Sequence, residues 1–444
     1  MTMLSPERRD EILAALRGGT VPRRGTDALA IGLDRFADTI DEELARISGG
    51  SGQVKAVRGE YGSGKTFFVR WIQERARKQG FITAEVQVSE TETPLHRLET
   101  VYRRLMERLT TAQVEGGAFR SIVDMWFYML EQDVLAEDDV EDEAALVART
   151  NELMERRLDE VARQAPMFAA ALRGYRQLLH EGDAASAESV LAWAAGQPNV
   201  AAAAKRAAGV RGDVDHDGAL AFLQGLLAMV RDSGLKGLVL VLDEVETLQR
   251  VRRDVRDKGL NALRQLMDEL SQGRFPGMYL VLTGTPAFFD GPQGVQRLAP
   301  LAQRLEVDFS GNPKFDNPRA VQVRLPTFDL ERLAELGRRI RDIFADGAKD
   351  PARIRSVVDD DYVATLAGAV AGELGGKVGV APRIFLRKLV TDVLDKVELF
   401  EDFDPRKDYA LTLKPSELTD VERAATGARS VEDVELDLGD GDDG

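Results

Sequence analysis

The chain contains no cysteine, so it forms no disulfide and performs no thiol chemistry. That absence fits a reducing compartment, and the cytoplasm is the expected location. Its three histidines, His96, His180 and His216, are scattered too widely to ligate one metal by spacing. No run of about 18 apolar residues occurs, which excludes a transmembrane helix and leaves no membrane partner expected. The opening stretch MTMLSPERRDEILAALRGG lacks the apolar core and cleavage site of a signal peptide. It reads as a helix, with Ser5 as cap, Pro6 in the first turn and Gly18 past the end. Positive charge is in deficit: 59 Lys and Arg face 75 Asp and Glu, a net charge of −16. Such a field repels phosphate backbones, so nucleic acid is disfavoured, although a local basic face can override the average.

What is present is an ordinary globular composition, 44% hydrophobic and 30% charged, in 444 residues that suggest two or three domains. One stretch carries chemistry at once. GEYGSGKTFF, from Gly59 to Phe68, matches the phosphate-binding pattern G-x-x-x-x-G-K-[ST] through Gly59, Gly64, Lys65 and Thr66. Val54, Ala56 and Val57 before it suggest a buried strand. Phe67, Phe68, Trp71 and Ile72 after it repeat at helical spacing, and Gly80 ends that helix. A Gly-rich turn between strand and helix lets successive N–H groups of Gly59, Glu60, Tyr61, Gly62, Ser63, Gly64, Lys65, Thr66 and Phe67 face phosphate oxygens. The helix N-terminus adds partial positive charge. Lys65 is expected to reach the β and γ phosphates, and Thr66 to hold Mg²⁺. The cofactors expected are therefore ATP and Mg²⁺.

Four further strands are legible: FITAEVQVS, GLVLVLDEVE, MYLVLTGTP and VQVRLPTF from Val321. Between the second and third lies a long region, 95–232, of helical periodicity. Stretches 136–144 and 197–209 read as loops between its helices, and the aromatic cluster at 126–128 reads as core rather than as a partner surface. The third strand is a two-sided buried parallel strand that ends in Asp243 and Glu244, where an open α/β sheet places its ligands. Asp243 there suits Mg²⁺ and Glu244 suits the polarisation of an attacking water. Thr283 and Thr285 end the next strand; one hydroxyl, Thr283 by preference, can contact the γ-phosphate or the water, and a plain turn is the alternative. Arg304, with Arg297 as second candidate, precedes the last strand, where an arginine often faces a neighbouring subunit's nucleotide; a surface arginine is the alternative. Arg383 follows Pro382 at a helix start and can reach back over the phosphates.

The order phosphate loop, Asp-Glu strand, Thr strand, arginine, helical lid with arginine resembles an AAA+ ATPase of the initiator-like branch. The resemblance implies Walker A at Lys65 and Thr66, Walker B at Asp243 and Glu244, sensor 1 at Thr283, an arginine finger at Arg304 and sensor 2 at Arg383. The phrases TVPRRGTDALAIGLDRF, VRGEYGSGKTFFVRW, VSETETPLHRLETVYRRL and VLTGTPAFFD resemble the ATP-binding proteins of bacterial BREX phage-defence loci, the BrxD type, over residues 5 to about 400. That family implies that Val21 to Phe36 lie against the adenine base, and it implies other BREX proteins as partners. The fold class expected is α/β: an AAA+ P-loop NTPase core with a parallel sheet, a large helical insertion between the second strand and the Walker B strand, and a C-terminal helical lid. The domains expected are an N-terminal helix (1–25), the core (26–326, with 95–232 the insertion), the lid (327–400) and an extension (401–444). The extension finishes in an acidic, disordered tail, 431–444, with seven acidic residues and no basic one. Initiator-type relatives carry a winged-helix DNA-binding domain after the lid, and 401–444 is too short for one.

Function then divides four ways. A nucleotide-driven oligomeric switch or remodeller ranks first, assembling as a homo-oligomer with ATP. A DNA-stimulated translocase or helicase is opposed by the single phosphate loop. A scaffold that holds ATP without turnover is opposed by an intact Glu244, and a small-molecule kinase by the large insertion. DNA remains a candidate partner through the run QRVRRDVRDKGLNALR, 249–264, where six cations meet two aspartates; a solvated helix face is the equal alternative.

Overall fold

A computed structural model describes residues 4–136, 143–374, 382–413 and 418. Most of the loop 136–144, the residues just before Pro382 and the acidic tail lie outside the described residues. In chain order come α1 (Pro6–Arg17), a 3₁₀ turn (Thr26–Leu29), α2 (Asp34–Ser48), β1 (Gln53–Arg58), α3 (Lys65–Lys78) and β2 (Ile82–Gln87). Seven helices follow among the described residues: α4 (Leu98–Arg108), α5 (Phe119–Ala136), α6 (Glu143–Gln164), α7 (Pro166–His180), α8 (Ala184–Ala194), α9 (Ala202–Ala207) and α10 (His216–Asp232). Then come β3 (Leu238–Asp243), α11 (Arg253–Ser271), β4 (Met278–Gly284), α12 (Pro286–Asp290), α13 (Ala299–Leu305) and β5 (Gln322–Arg324). The chain continues with α14 (Leu330–Ala345), α15 (Pro351–Val357), α16 (Asp360–Glu373), α17 (Pro382–Arg387), a π-helical turn (Lys388–Leu394), α18 (Asp395–Leu399) and α19 (Pro405–Asp408).

The described residues divide into two compact units. One comprises those within Met1–Asp34, Gly59–Glu74 and Leu325–Gly444, the other Arg35–Arg58 and Arg75–Arg324. The second unit holds a five-stranded sheet in the order β2-β3-β4-β1-β5, every pairing parallel. The class is therefore α/β, with a parallel sheet of the P-loop NTPase kind and a mainly helical remainder. Every residue of β3 and β4 is buried, which is why both strands read as unbroken apolar runs. Parallel neighbours need long crossovers, and the seven-helix excursion between β2 and β3 is the longest of them. Its core is aromatic: Trp126, Phe168, Tyr175, Trp193 and Phe222 are buried together. Trp126 Nε1 donates to Asp232 at 2.8 Å and the Tyr175 hydroxyl to Asp124 at 2.8 Å, which satisfies both polar tips. Of the 126–128 cluster, Trp126 and Phe127 are core while Tyr128 is exposed. One expectation fails. The Ala-rich stretch 197–209, read as loop, contains the helix α9, because consecutive alanines carry the strongest helix propensity.

The first unit has its own apolar core, in which α1, α14, α16, α17 and the π-helical turn bury Ile12, Leu16, Ile340, Val363, Phe385 and Leu389. α1 begins as its sequence requires: Ser5 Oγ accepts from Arg8 N–H at 3.3 Å, and Gly18 follows the last turn.

Candidate nucleotide-binding site

The phosphate loop lies in the first unit and starts where β1 ends at Arg58. Gly62 and Gly64 adopt φ of 76° and 86°, a left-handed region that glycine enters without strain. Gly59 is required for another reason: a Cβ there would lie 2.3 Å from Ser63 Oγ. Lys65 opens α3, and its ammonium folds over the loop, donating to the Gly59 carbonyl at 2.9 Å and the Glu60 carbonyl at 3.2 Å. The same ammonium stands 5.2 Å from the centre of the Tyr61 ring. Thr66 sits in the first turn of α3, and Phe67 packs against the unit's apolar core. A glycine-rich loop that leads into a helix N-terminus and carries a lysine ammonium is of the kind that binds anions.

The acidic strand end lies in the second unit. Asp243 is the buried last residue of β3, and β4 separates β3 from β1 in the sheet. Glu244 follows with φ of 59° and ψ of 45°, left-handed backbone that a residue with a Cβ adopts at a cost. Thr283, completely buried on β4, holds this bend. Its hydroxyl donates to Asp243 Oδ1 and accepts the Glu244 N–H at 3.0 Å. Sequence reasoning aimed the Thr283 hydroxyl at phosphate or water; the structure gives it two protein partners. The Glu244 carboxylate accepts from Gln87 Nε2 at 2.8 Å, an amide at the end of β2. Gln87 went unnoticed in the sequence, although a polar residue closing an apolar strand was a usable signal.

Among the arginines, Arg297 pairs with Asp257, Nη2 to Oδ2 at 3.1 Å. That contact holds the Asp257 carboxyl below its usual range and raises the guanidinium. Arg304, on α13, donates to the Pro300 carbonyl at 3.1 Å and pairs with Asp268 of α11. Arg383 occupies the first turn of α17, after Pro382, and its guanidinium lies beside Gly19. The basic run 249–264 is not uniform. Arg256 donates to the carbonyls of Leu248, Gln249 and Val251 at 3.1, 2.9 and 2.9 Å and is spent on closing the turn after Glu244. Arg252 and Arg253 are exposed.

The profile of one family, described as BREX system ATP-binding protein BrxC/D, matches residues 4–413. The chain belongs to that family. The resemblance noted at the four sequence phrases is thereby borne out, and a place in BREX defence, ATP as the nucleotide and other BREX proteins as partners come with membership. No curated protein matches the chain. Among the described residues no helix of this family member is long and apolar enough to cross a membrane. Thr66 and Asp243 offer hard oxygen donors, the type that suits Mg²⁺. Among the described residues no three His, Asp or Glu side chains gather into a cage of their own. A hydroxyl like that of Thr66 and a carboxylate like that of Asp243 are each of the oxygen chemistry that Mg²⁺ takes beside its own waters.

Proposed function

We propose that this protein is an AAA+ ATPase that hydrolyses ATP and acts as a nucleotide-driven switch or remodeller within BREX defence. The observation that carries hydrolysis is Glu244: a carboxylate next to a buried aspartate, on a backbone bent by Thr283, held by a neutral amide. In this reading Gly59 to Phe67 cradle the phosphates and Lys65 brings the positive charge to the β and γ oxygens. Thr66 and Asp243 hold Mg²⁺, which neutralises phosphate charge when bound. Glu244 orients and deprotonates the attacking water, and Thr283 positions the acidic pair. Arg304 serves a neighbouring subunit's nucleotide in a homo-oligomer formed with ATP, and Arg383 reaches the phosphates from the helical lid. The domain division follows the same reading: N-terminal helix, core with helical insertion, lid and extension.

Phosphate release with and without DNA, measured together with oligomeric mass with and without ATP, tests this. The expected result is ATP-dependent release that Lys65→Ala abolishes, with a larger mass in ATP. Tight ATP binding without release in either condition would instead mark a nucleotide-holding scaffold. Release that depends wholly on DNA would favour the translocase reading.

A further inference from the structure

Glu74 lies on α3 beyond the phosphate loop and is buried, 7% exposed. Its carboxylate accepts hydrogen bonds from two consecutive residues. Gly25 N–H donates at 3.0 Å to one oxygen; Thr26 N–H at 2.7 Å and the Thr26 hydroxyl at 2.5 Å donate to the other. Thr26 is completely buried. About one turn earlier on the helix, Arg70 Nη1 donates to the Val21 carbonyl at 2.5 Å. The stretch from Val21 to Thr26 is therefore strapped to α3 at both ends. Gly25 makes the geometry: its φ is +73°, and a Cβ there would come within 2.7 Å of Ile12 Cδ1.

A buried carboxylate is costly unless it is fully hydrogen-bonded, and an apolar residue would close a core with less desolvation. A charge spent here specifies one conformation of the strapped segment. What that conformation presents is an apolar surface. Ala28 and Ile31, just past the strap, are partly buried against the same core as Phe67 and Phe328. A ring carbon of Phe328 lies 3.7 Å from where a Gly64 side chain would begin, so this surface adjoins the phosphate loop. The loop offers N–H groups and Lys65 to phosphate; the apolar side chains next to it suit the base.

We infer that Glu74 is a positioning residue for the nucleoside half of ATP, acting through the Gly25–Thr26 turn. The inference rests on the loop from Gly59 to Phe67 taking the triphosphate. Titration calorimetry of the full chain with MgATP and with magnesium tripolyphosphate, which lacks base and ribose, separates the two halves. Glu74→Gln and Thr26→Val should each weaken MgATP about tenfold, because the first leaves a buried donor and the second the buried carboxylate without its partner. Tripolyphosphate affinity should stay within about twofold, since the loop's own donors are untouched. Thr26→Ser, which keeps the hydroxyl, should bind MgATP as the wild type does. Equal weakening of both ligands, or no weakening in a variant with wild-type melting, would overturn the inference. If Glu74→Gln does not fold, the Thr26 pair carries the test alone. A wild type that binds neither ligand would defeat the phosphate-loop reading itself, a different result from binding without the split.

Discussion

The Thr283 hydroxyl accepts the backbone N–H of Glu244 at 3.0 Å and so holds a glutamate in left-handed backbone at the end of a buried strand. The same hydroxyl donates to Asp243. One side chain on β4 thereby sets the aim of both acidic residues that end β3. Thr283→Val keeps the shape and removes both bonds. Losing a hydrogen bond to a charged group is worth about 1.5–3 kcal/mol, so kcat should fall about ten- to a hundredfold. The Kd for ATP should hold within about threefold, since the phosphate loop is intact. A steady-state assay paired with equilibrium binding checks this, and Thr283→Ser should recover most of the turnover.

Glu244→Gln should bind ATP and turn it over about 10²–10⁴-fold more slowly, the usual worth of a positioned general base. Gln87→Ala should act more mildly and in the same parameter. It frees the Glu244 carboxylate from its 2.8 Å amide contact without removing the base. Single-turnover hydrolysis distinguishes the two, and wild-type rates for the glutamine variant would remove Glu244 from the mechanism.

If Arg304 serves a neighbour's nucleotide, Arg304→Ala should retain ATP binding and lose turnover. Mixing it with Lys65→Ala should restore part of the activity, because a mixed ring contains sites with one intact loop and one intact arginine. An arginine supplied across an interface is worth roughly 10³–10⁵ in rate where it stabilises transition-state charge. No recovery in verified mixed oligomers would leave Arg304 with its observed partners, Pro300 and Asp268, as a structural arginine.

DNA contact through the run after Glu244 is best probed at Arg252 and Arg253, which are exposed, and not at Arg256. Arg252→Glu with Arg253→Glu should lower DNA affinity or DNA-stimulated hydrolysis, most clearly at low salt. Arg256→Glu should depress basal hydrolysis with or without DNA, because its three carbonyl contacts brace the turn behind Glu244. Filter binding across a salt series separates a surface effect from a brace effect.

Lys55 of β1 is buried and donates to Glu43 at 2.7 Å and to the Pro318 and Ala320 carbonyls at 3.0 and 2.9 Å. Lys55→Met should cost about 3–5 kcal/mol, because the Glu43 charge stays buried without its partner. Burial lowers the Lys55 pKa below its usual 10.5, so the unfolded chain binds this proton more tightly than the folded one. Stability from this group therefore rises with pH through the window below 10.5. Urea melts of wild type and Lys55→Met across that window should show the stability difference between them growing with pH.

Local chemistry makes much of this protein legible in its sequence. The pattern GEYGSGKT needs only neighbours in sequence to form, since its glycines decide the backbone and Lys65 is five residues from the carbonyl of Glu60. The unbroken apolar runs of β3 and β4 announce burial on both faces, and the Ser5-Pro6 start of α1 is a local cap. Contacts between distant segments had no such signature. That β4 lies between β1 and β3 follows from crossover packing, and this insertion puts Thr283 beside Asp243 across 40 residues of chain. Arg256 looked like one more surface cation until the turn folded its carbonyls onto it. Glu74 meets Thr26 across 48 residues of chain, and nothing in sequence spacing says which buried donors will meet a carboxylate. Short-range rules read the loop and the strands, and only the folded chain decided which side chains hold them in place.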